Sequence, residues 1–357
     1  MPIAERVRQA RGLRDLSLRA LAEKVSVSHA AIAKYESGED TPSSGVLLRL
    51  ATALEVPLDF FFRASTVGEI QPAFRKRKAL SGARLRRVEA EVRDSVERYL
   101  ELETIRRPEM SPGFMPPQGF PRAVREMEEV ERAAEDVRDA WQLGRDPIQD
   151  LTEVLEERGI KVVEVTGDDK FDACTFEIAV DGAQGRVVAL RSGMPADRHR
   201  FTLAHELGHL LLEAPEPDRE KVANRFAGAV LAPRERVIEE LGTKRSRISP
   251  FELHALKHKY GLSMQAWVYR AHDLGVISDS THRILHAWFR RNDLHRAEPG
   301  EELPRERPSR FLRLVLQALE EGQIGRQRAS ELLNRPLEQT LGEFAKEHPG
   351  LEAVLGR

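Results

Sequence analysis

The chain lacks most of the features that would place it outside the ordinary globular class. It has one cysteine, Cys174, among 357 residues, which excludes an intramolecular disulfide framework and any multi-cysteine zinc site. It has no excess of either charge: 56 lysines and arginines face 58 aspartates and glutamates. Any contact with nucleic acid must therefore come from a local patch, not from net charge. No stretch approaches the roughly 18 apolar residues that a membrane span needs. The opening MPIAERVRQARG has no apolar core of a secretion signal. The reading is a cytoplasmic protein with no membrane partner. What remains is 41% hydrophobic and 32% charged, a composition that can bury a core, in a length that suggests two or three domains.

The pattern divides the chain into four parts. Residues 1–65 read as a compact all-helical domain of five short helices. Ile3 to Gln9 forms the first, Ser17 caps the second, and Ser28 caps a third that runs from His29 to Ser37 and stops at Gly38. Val46, Leu47, Leu50, Ala51 and Leu54 recur at helical spacing, and Pro57 opens a closing helix that ends in Phe60-Phe61-Phe62. Residues 66–120 hold a basic connector centred on Arg75-Lys76-Arg77-Lys78. An amphipathic helix follows, with Leu85, Val88, Val92, Val96 and Tyr99 on one face, then a hinge rich in proline and glycine from Pro108 to Pro121.

Residues 121–290 change character. Helices are expected from Arg122 to Leu143 and from Ile148 to Arg158, a strand over Lys161–Val165, and a hairpin of Phe176–Val180 with Arg186–Leu190 turning at Asp181-Gly182. From Arg198 the chain is helical again. Residues 296–308 read as a linker within a last part, 291–357, where Phe311–Leu319 and Ala329–Leu333 form two helices of unknown role. The fold class is mainly α with a small sheet (α+β): an all-α first domain, a domain of a small sheet followed by helices, and C-terminal helices.

The most informative segment is Phe201-Thr-Leu-Ala-His205-Glu206-Leu-Gly-His209-Leu-Leu-Leu212. Four residues apart on a helix, His205 and His209 lie on one face and can address one ion. Glu206 stands beside the first of them, where it can serve as a general base toward water. Leu203, Leu207, Leu210 and Leu211 make the rest of the helix apolar, and buried imidazoles in such a setting need a partner to offset their desolvation. Gly208 has no side chain to pack, which suggests a close neighbour on that side. A tetrahedral Zn2+ site needs a third protein ligand and an open position. Glu213, Glu216, Asp218 and Glu220 are all near enough in sequence. Glu220 is favoured: Pro215 and Pro217 turn the chain, a second helix begins at Asp218 or Arg219, and Glu220 shares a face with Ala223, Asn224 and Ala227, small residues that permit close approach. Glu213, taken as one helical turn past His209, is less well aimed. His254 and His258 are also four apart, but with no glutamate beside the first and with Lys257 and Lys259 nearby they read as a surface helix.

Phe201–Leu212, then Glu220-Lys-Val-Ala223-Asn224-Arg-Phe226-Ala227 and Leu231-Ala-Pro233, resemble the ImmA/IrrE family of bacterial metallopeptidases. The resemblance covers roughly residues 120–290. It implies zinc held by His205, His209 and Glu220, with Glu206 as the catalytic residue. It also implies a protein substrate, a repressor or antitoxin whose cleavage switches on stress-response or mobile-element genes.

The first 63 residues resemble Xre-type helix-turn-helix domains through Leu16-Ser17, Leu21-Ala22, Val27-Ser28, Ile32, Tyr35-Glu36-Ser37-Gly38, Pro42, Leu47, Leu50-Ala51, Leu54 and Val56. The implied partner is an operator in double-stranded DNA, with Ser28, His29, Ala30, Ala31 and Lys34 nearest the base edges and phosphates; a homodimer is compatible with this. Two features depart from the pattern. Leu18 stands where many relatives carry a phosphate-binding glutamine, and the segment's nine basic residues against eight acidic ones leave it at +1, modest for a duplex binder.

The leading expectation is thus a DNA-binding regulator that is itself a zinc metalloendopeptidase. Its rivals are a transcription factor whose metal domain only senses, and a toxin–antitoxin or phage-immunity component acting by protein binding. The helix–turn–helix pattern over residues 250–276 is read as support for the peptidase, and Cys174 as a small buried hydrophobe.

Overall fold

The computed structural model describes residues 2–62, 67–68, 70–73, 82–106, 113–166, 171–180, 183–294 and 297–347. The Arg75–Lys78 cluster, Pro108, Pro112 and the Asp181-Gly182 turn fall outside them. The chain forms two compact units: one comprises residues 1–113, 176–187 and 309–357, the other 114–175 and 188–308. No helix among the described residues is long and apolar enough to cross a membrane.

The first unit begins with α1 (Pro2–Leu13), α2 (Leu18–Val25), α3 (His29–Ser37) and α4 (Ser44–Leu54). Helix α1 runs four residues past the expected end at Gln9, and the fifth element, Leu58–Phe62, is a 3-10 turn instead of an α-helix. The caps are local chemistry: Ser17 Oγ accepts from Ala20 N and Ser28 Oγ from Ala31 N, both at 3.1 Å. Gly38 ends α3 at φ +78°, a conformation glycine adopts without strain. Val7, Leu21, Val25, Ile32, Leu50, Leu54 and Phe61 are fully buried between these helices. Arg11 grips Glu36 with two hydrogen bonds of 2.6 and 2.8 Å, tying α1 to α3. The short β1 (Ile70–Pro72) precedes α5 (Gly82–Arg106), which buries Val88, Val92, Val96 and Tyr99 of the expected face and leaves Leu85 half-buried.

The second unit corrects one helix boundary. Arg122–Ala123, expected to be helical, form β2 and pair in parallel with Leu212–Glu213. Helix α6 (Met127–Ala140) starts only after a capping box in which Glu129 Oε2 accepts from the backbone of Arg125 and Glu126. Helix α7 (Leu151–Glu157) leads into β3 (Ile160–Val165) and the hairpin of β4 (Ala173–Val180) and β5 (Ala183–Arg191). The base of the hairpin belongs to this unit and its tip to the first, where β1 pairs antiparallel with β4, Gln71 opposite Glu177. Cys174 is a buried strand residue, as read. Next come α8 (Ala196–Leu211), β6 (Leu212–Glu213), α9 (Arg219–Leu231), α10 (Arg234–Leu241), α11 (Pro250–Tyr260), α12 (Met264–Asp273) and α13 (Asp279–Arg291). One core joins Leu203, Leu207 and Leu211 of α8 to Val188, Phe226 and Trp267; each buried leucine stabilises by about 1.5–3 kcal/mol.

The expected linker is a pinned strap. Glu298 accepts from Met264 N at 2.9 Å and Gln265 N at 3.1 Å, the unsatisfied first turn of α12. Glu306 accepts from Thr152 N at 3.0 Å at the start of α7 and pairs with Arg200. Beyond the strap, in the first unit, three helices replace the expected two: α14 (Arg310–Glu320), α15 (Arg326–Leu333) and α16 (Leu337–Glu347). Val315, Ala318, Ala329 and Leu332 close over Leu102 of α5.

Candidate metal centre

Helices α8 and α9 run antiparallel in backbone contact. A Cβ on Gly208 would come within 3.2 Å of Ala223 Cα and 3.1 Å of the Phe226 ring, so glycine and alanine at these positions set the spacing. At that spacing His205 lies opposite Asn224, and His209 opposite Glu220. The two histidine Nε2 atoms are 3.0 Å apart, with Glu220 oxygens 3.3 Å from His205 and 3.4 Å from His209. Among the described residues these three form the group of potential ligands whose donor atoms all lie within 4.8 Å of one another. The histidines are buried, whereas the Glu220 side chain is 61% exposed, so the centre is open on the carboxylate side.

The other candidates for third ligand point elsewhere. Helix α8 stops at Leu211, so Glu213 is not on it as expected; its carbonyl accepts from Val124 N in the β2–β6 pairing. Asp218 accepts from Lys221 and Glu216 faces Arg219. His254 and His258 pack ring to ring on α11 while Lys257 between them is held by Asp197 and Glu298.

The donors around the centre suit a cation. Asn224 Oδ1 lies 2.9 Å from His205 Nδ1; with the proton on Nδ1 donated to that oxygen, Nε2 keeps its lone pair. That lone pair faces the Nε2 of His209 with a carboxylate alongside. Two nitrogens and a carboxylate oxygen of this kind fit zinc. Glu206 is 1% exposed, and its Oε2 accepts a 2.7 Å hydrogen bond from Thr175 Oγ1 on β4. Sequence reasoning missed Thr175, which lies 31 residues upstream with no spacing signal. It placed Asn224 on the right face without assigning it a role.

A cleft of about 910 Å³ opens beside the centre, walled by Phe201, Lys221, Asn224, Arg225, Tyr269 and Glu298, among others. Asn224 belongs both to this wall and to the histidine it orients. Near the start of α8, burial pushes His199 down to about 4, so it is a neutral hydrogen-bonding partner of Thr152 Oγ1 at 3.2 Å.

In the helix-turn-helix, Ser28, His29, Ala30 and Lys34 are exposed along α3, whereas Ala31 is half-buried against the domain core. Its methyl group is largely committed to packing. Leu18 also packs against that core, which explains an apolar residue at a position otherwise suited to a phosphate contact.

Residues 7–61 match the helix-turn-helix family, and residues 155–272 match the IrrE N-terminal-like domain. The chain is thus a fusion of an Xre-type helix-turn-helix domain with an IrrE/ImmA-like domain. One curated relative, an uncharacterized transcriptional regulator in the ATPase CF(0) region of Rhodospirillum rubrum, is 42% identical over 60 residues. That match covers 17% of this chain and 56% of the relative.

Proposed function

We propose that this protein is a DNA-binding regulator with zinc metalloendopeptidase activity, cleaving a repressor or antitoxin protein. The observation that carries the catalytic half is the convergence of His205, His209 and Glu220 next to a buried Glu206 and an open cleft. His205, His209 and Glu220 would hold zinc, which when bound would supply Lewis-acid chemistry toward a peptide carbonyl and water. The rest is the work of the chain. Glu206 takes the proton from the attacking water and passes it to the leaving amine. Thr175 fixes the orientation of that carboxylate, Asn224 that of the His205 ring, and the cleft receives the substrate backbone.

The regulatory half is supported by the helix-turn-helix match, by the exposed face of α3, and by the description of the Rhodospirillum relative as a transcriptional regulator. The helix presents His29, Ala30 and Lys34 to the major groove of an operator, with Ser28 capping its start.

Two variants test the catalytic half. Glu206→Gln is expected to retain zinc and lose cleavage of repressors encoded beside the gene, while His205→Ala loses both. If Glu206→Gln protein cleaves at the wild-type rate, the peptidase mechanism fails. If it regulates normally without cleaving and His205→Ala does not, the metal domain is a sensor. Footprinting of the upstream promoter tests the operator, and a fully unprotected promoter counts against DNA-based regulation.

A further inference from the structure

A second group of imidazoles lies where α12 meets α13. His272 is in the last turn of α12, and His282 and His286, four apart, share one face of α13. The ring centroids of His272 and His282 are 4.4 Å apart, as are those of His282 and His286. Tyr269 lies against the latter two, its centroid 5.1 Å from His282 and 4.6 Å from His286.

The hydrogen bonding is incomplete in a telling way. Nε2 of His282 and Nε2 of His286 are both buried with no hydrogen-bond partner. His272 is treated differently: its Nε2 is 2.7 Å from Asp279 Oδ1. A carboxylate on one ring nitrogen orients an imidazole and raises the basicity of the other, the outer-shell arrangement found behind metal-ligating histidines. Burial holds His282 and His286 below the usual histidine range, helped by each other's neighbourhood: His286 and His272 around the first, Arg290 and His272 around the second.

We propose that His272, His282 and His286 form a second metal site, distinct from the centre at His205, His209 and Glu220, that takes a borderline divalent transition metal such as zinc or nickel. The ligand set selects the class. Three imidazoles suit zinc, nickel or copper, whereas calcium and magnesium require oxygen donors. The nitrogens do not converge as those of the first centre do. Binding an ion would require the rings to turn about their Cβ–Cγ bonds, a torsion that is broad for histidine. Tyr269 gives the site a reader: it is 52% exposed, lines the cleft, and touches both histidines of α13. An ion that reorders those rings resets one wall of the cleft.

The test is metal stoichiometry on the full chain, with zinc alone as the probe, after dialysis against a weak chelator. Wild type is expected to hold about two equivalents, His282→Gln/His286→Gln about one, and His205→Ala/His209→Ala about one. Circular dichroism establishes that each variant is folded. Asp279→Asn leaves all three rings in place and is expected to weaken the second equivalent by roughly 10–100-fold while sparing the first. A wild-type protein that binds a single equivalent, lost in His205→Ala/His209→Ala, overturns the proposal. So does a second equivalent that neither the α13 variants nor Asp279→Asn disturbs. Neither result bears on the peptidase reading, which depends on the first centre.

Discussion

Thr175 donates its hydroxyl to Glu206 Oε2 at 2.7 Å, and both residues are 1% exposed. A strand residue thereby decides how the carboxylate of a helix residue is turned. Thr175→Val keeps the shape and removes the donor. It is expected to lower unfolding free energy by about 1–3 kcal/mol, the cost of taking one partner from a buried polar group, and to reduce cleavage in step with Glu206 misorientation. Thr175→Ser is expected to restore both. Urea denaturation and a cleavage assay on the three proteins check this, and a Val variant equal to wild type in both would count against the role.

Asn224 touches His205 Nδ1 and would act on a bound metal through that ring. Asn224→Ala removes the acceptor at Nδ1 without touching a ligand, so zinc affinity is expected to fall by roughly 10–100-fold with stoichiometry preserved. Competition with a chromophoric chelator reads the affinity. Glu206→Gln, measured beside it, is expected to bind zinc about as wild type does.

His199 makes stability depend on mildly acid pH. Its folded value is about 4 because of burial, against about 6.5 in the unfolded chain. The unfolded state therefore binds more protons between these values. The contribution is fully present above about 6.5 and is lost as pH falls toward 4, a total of about 3 kcal/mol. His199→Gln is expected to flatten the stability profile over that window. An unaltered slope between pH 6.5 and 4 would sink the assignment.

Glu131 is buried at 2% exposure and bridges Arg270, at 1%, with Arg225. Burial alone would raise its carboxyl, but the hydrogen bonds and charge of Arg270 and then Arg225 hold it below the usual range. Its contribution is present above the unfolded value near 4.3 and lost as pH falls through the lower folded value. Glu131→Ala takes the carboxylate from Arg270 and one of two from Arg225, which keeps Asp273, and is expected to cost about 3–5 kcal/mol at pH 7, measured by chemical denaturation.

Lys34 is exposed on α3. If it meets a phosphate, Lys34→Ala weakens operator and non-operator DNA about equally and reduces the salt slope of binding by about 1. A loss confined to one operator base would instead mark it as a base reader.

The helix-turn-helix and the zinc-type helix were legible because their determinants are local. Ser17 and Ser28 cap helices with their own hydroxyls, Gly38 ends one, and His205 and His209 share a face by helical period alone. Gly208 announced a close neighbour, and Ala223 is that neighbour. The errors fell where a local pattern met a distant partner. Arg122–Ala123 are strand because Leu212–Glu213 are beside them, and the same pairing ends α8 before Glu213. The segment 297–308 looks like a linker because Pro299, Pro304 and Pro308 interrupt helix and strand alike. It is held down because Glu298 and Glu306 find the unsatisfied amides of α12 and α7.

The sequence by itself determined the helices, their caps, the histidine pair and the alternation of the hairpin, because hydrogen bonds within a few residues and the burial of a periodic face depend only on neighbours along the chain. Tertiary structure alone decided that Glu220 comes level with His209, that Asn224 and Thr175 orient the residues around the centre, and that three histidines gather between α12 and α13. Those arrangements follow from how closely helices and strands pack. That spacing is set by many side-chain volumes at once and leaves no periodic trace in the order of residues.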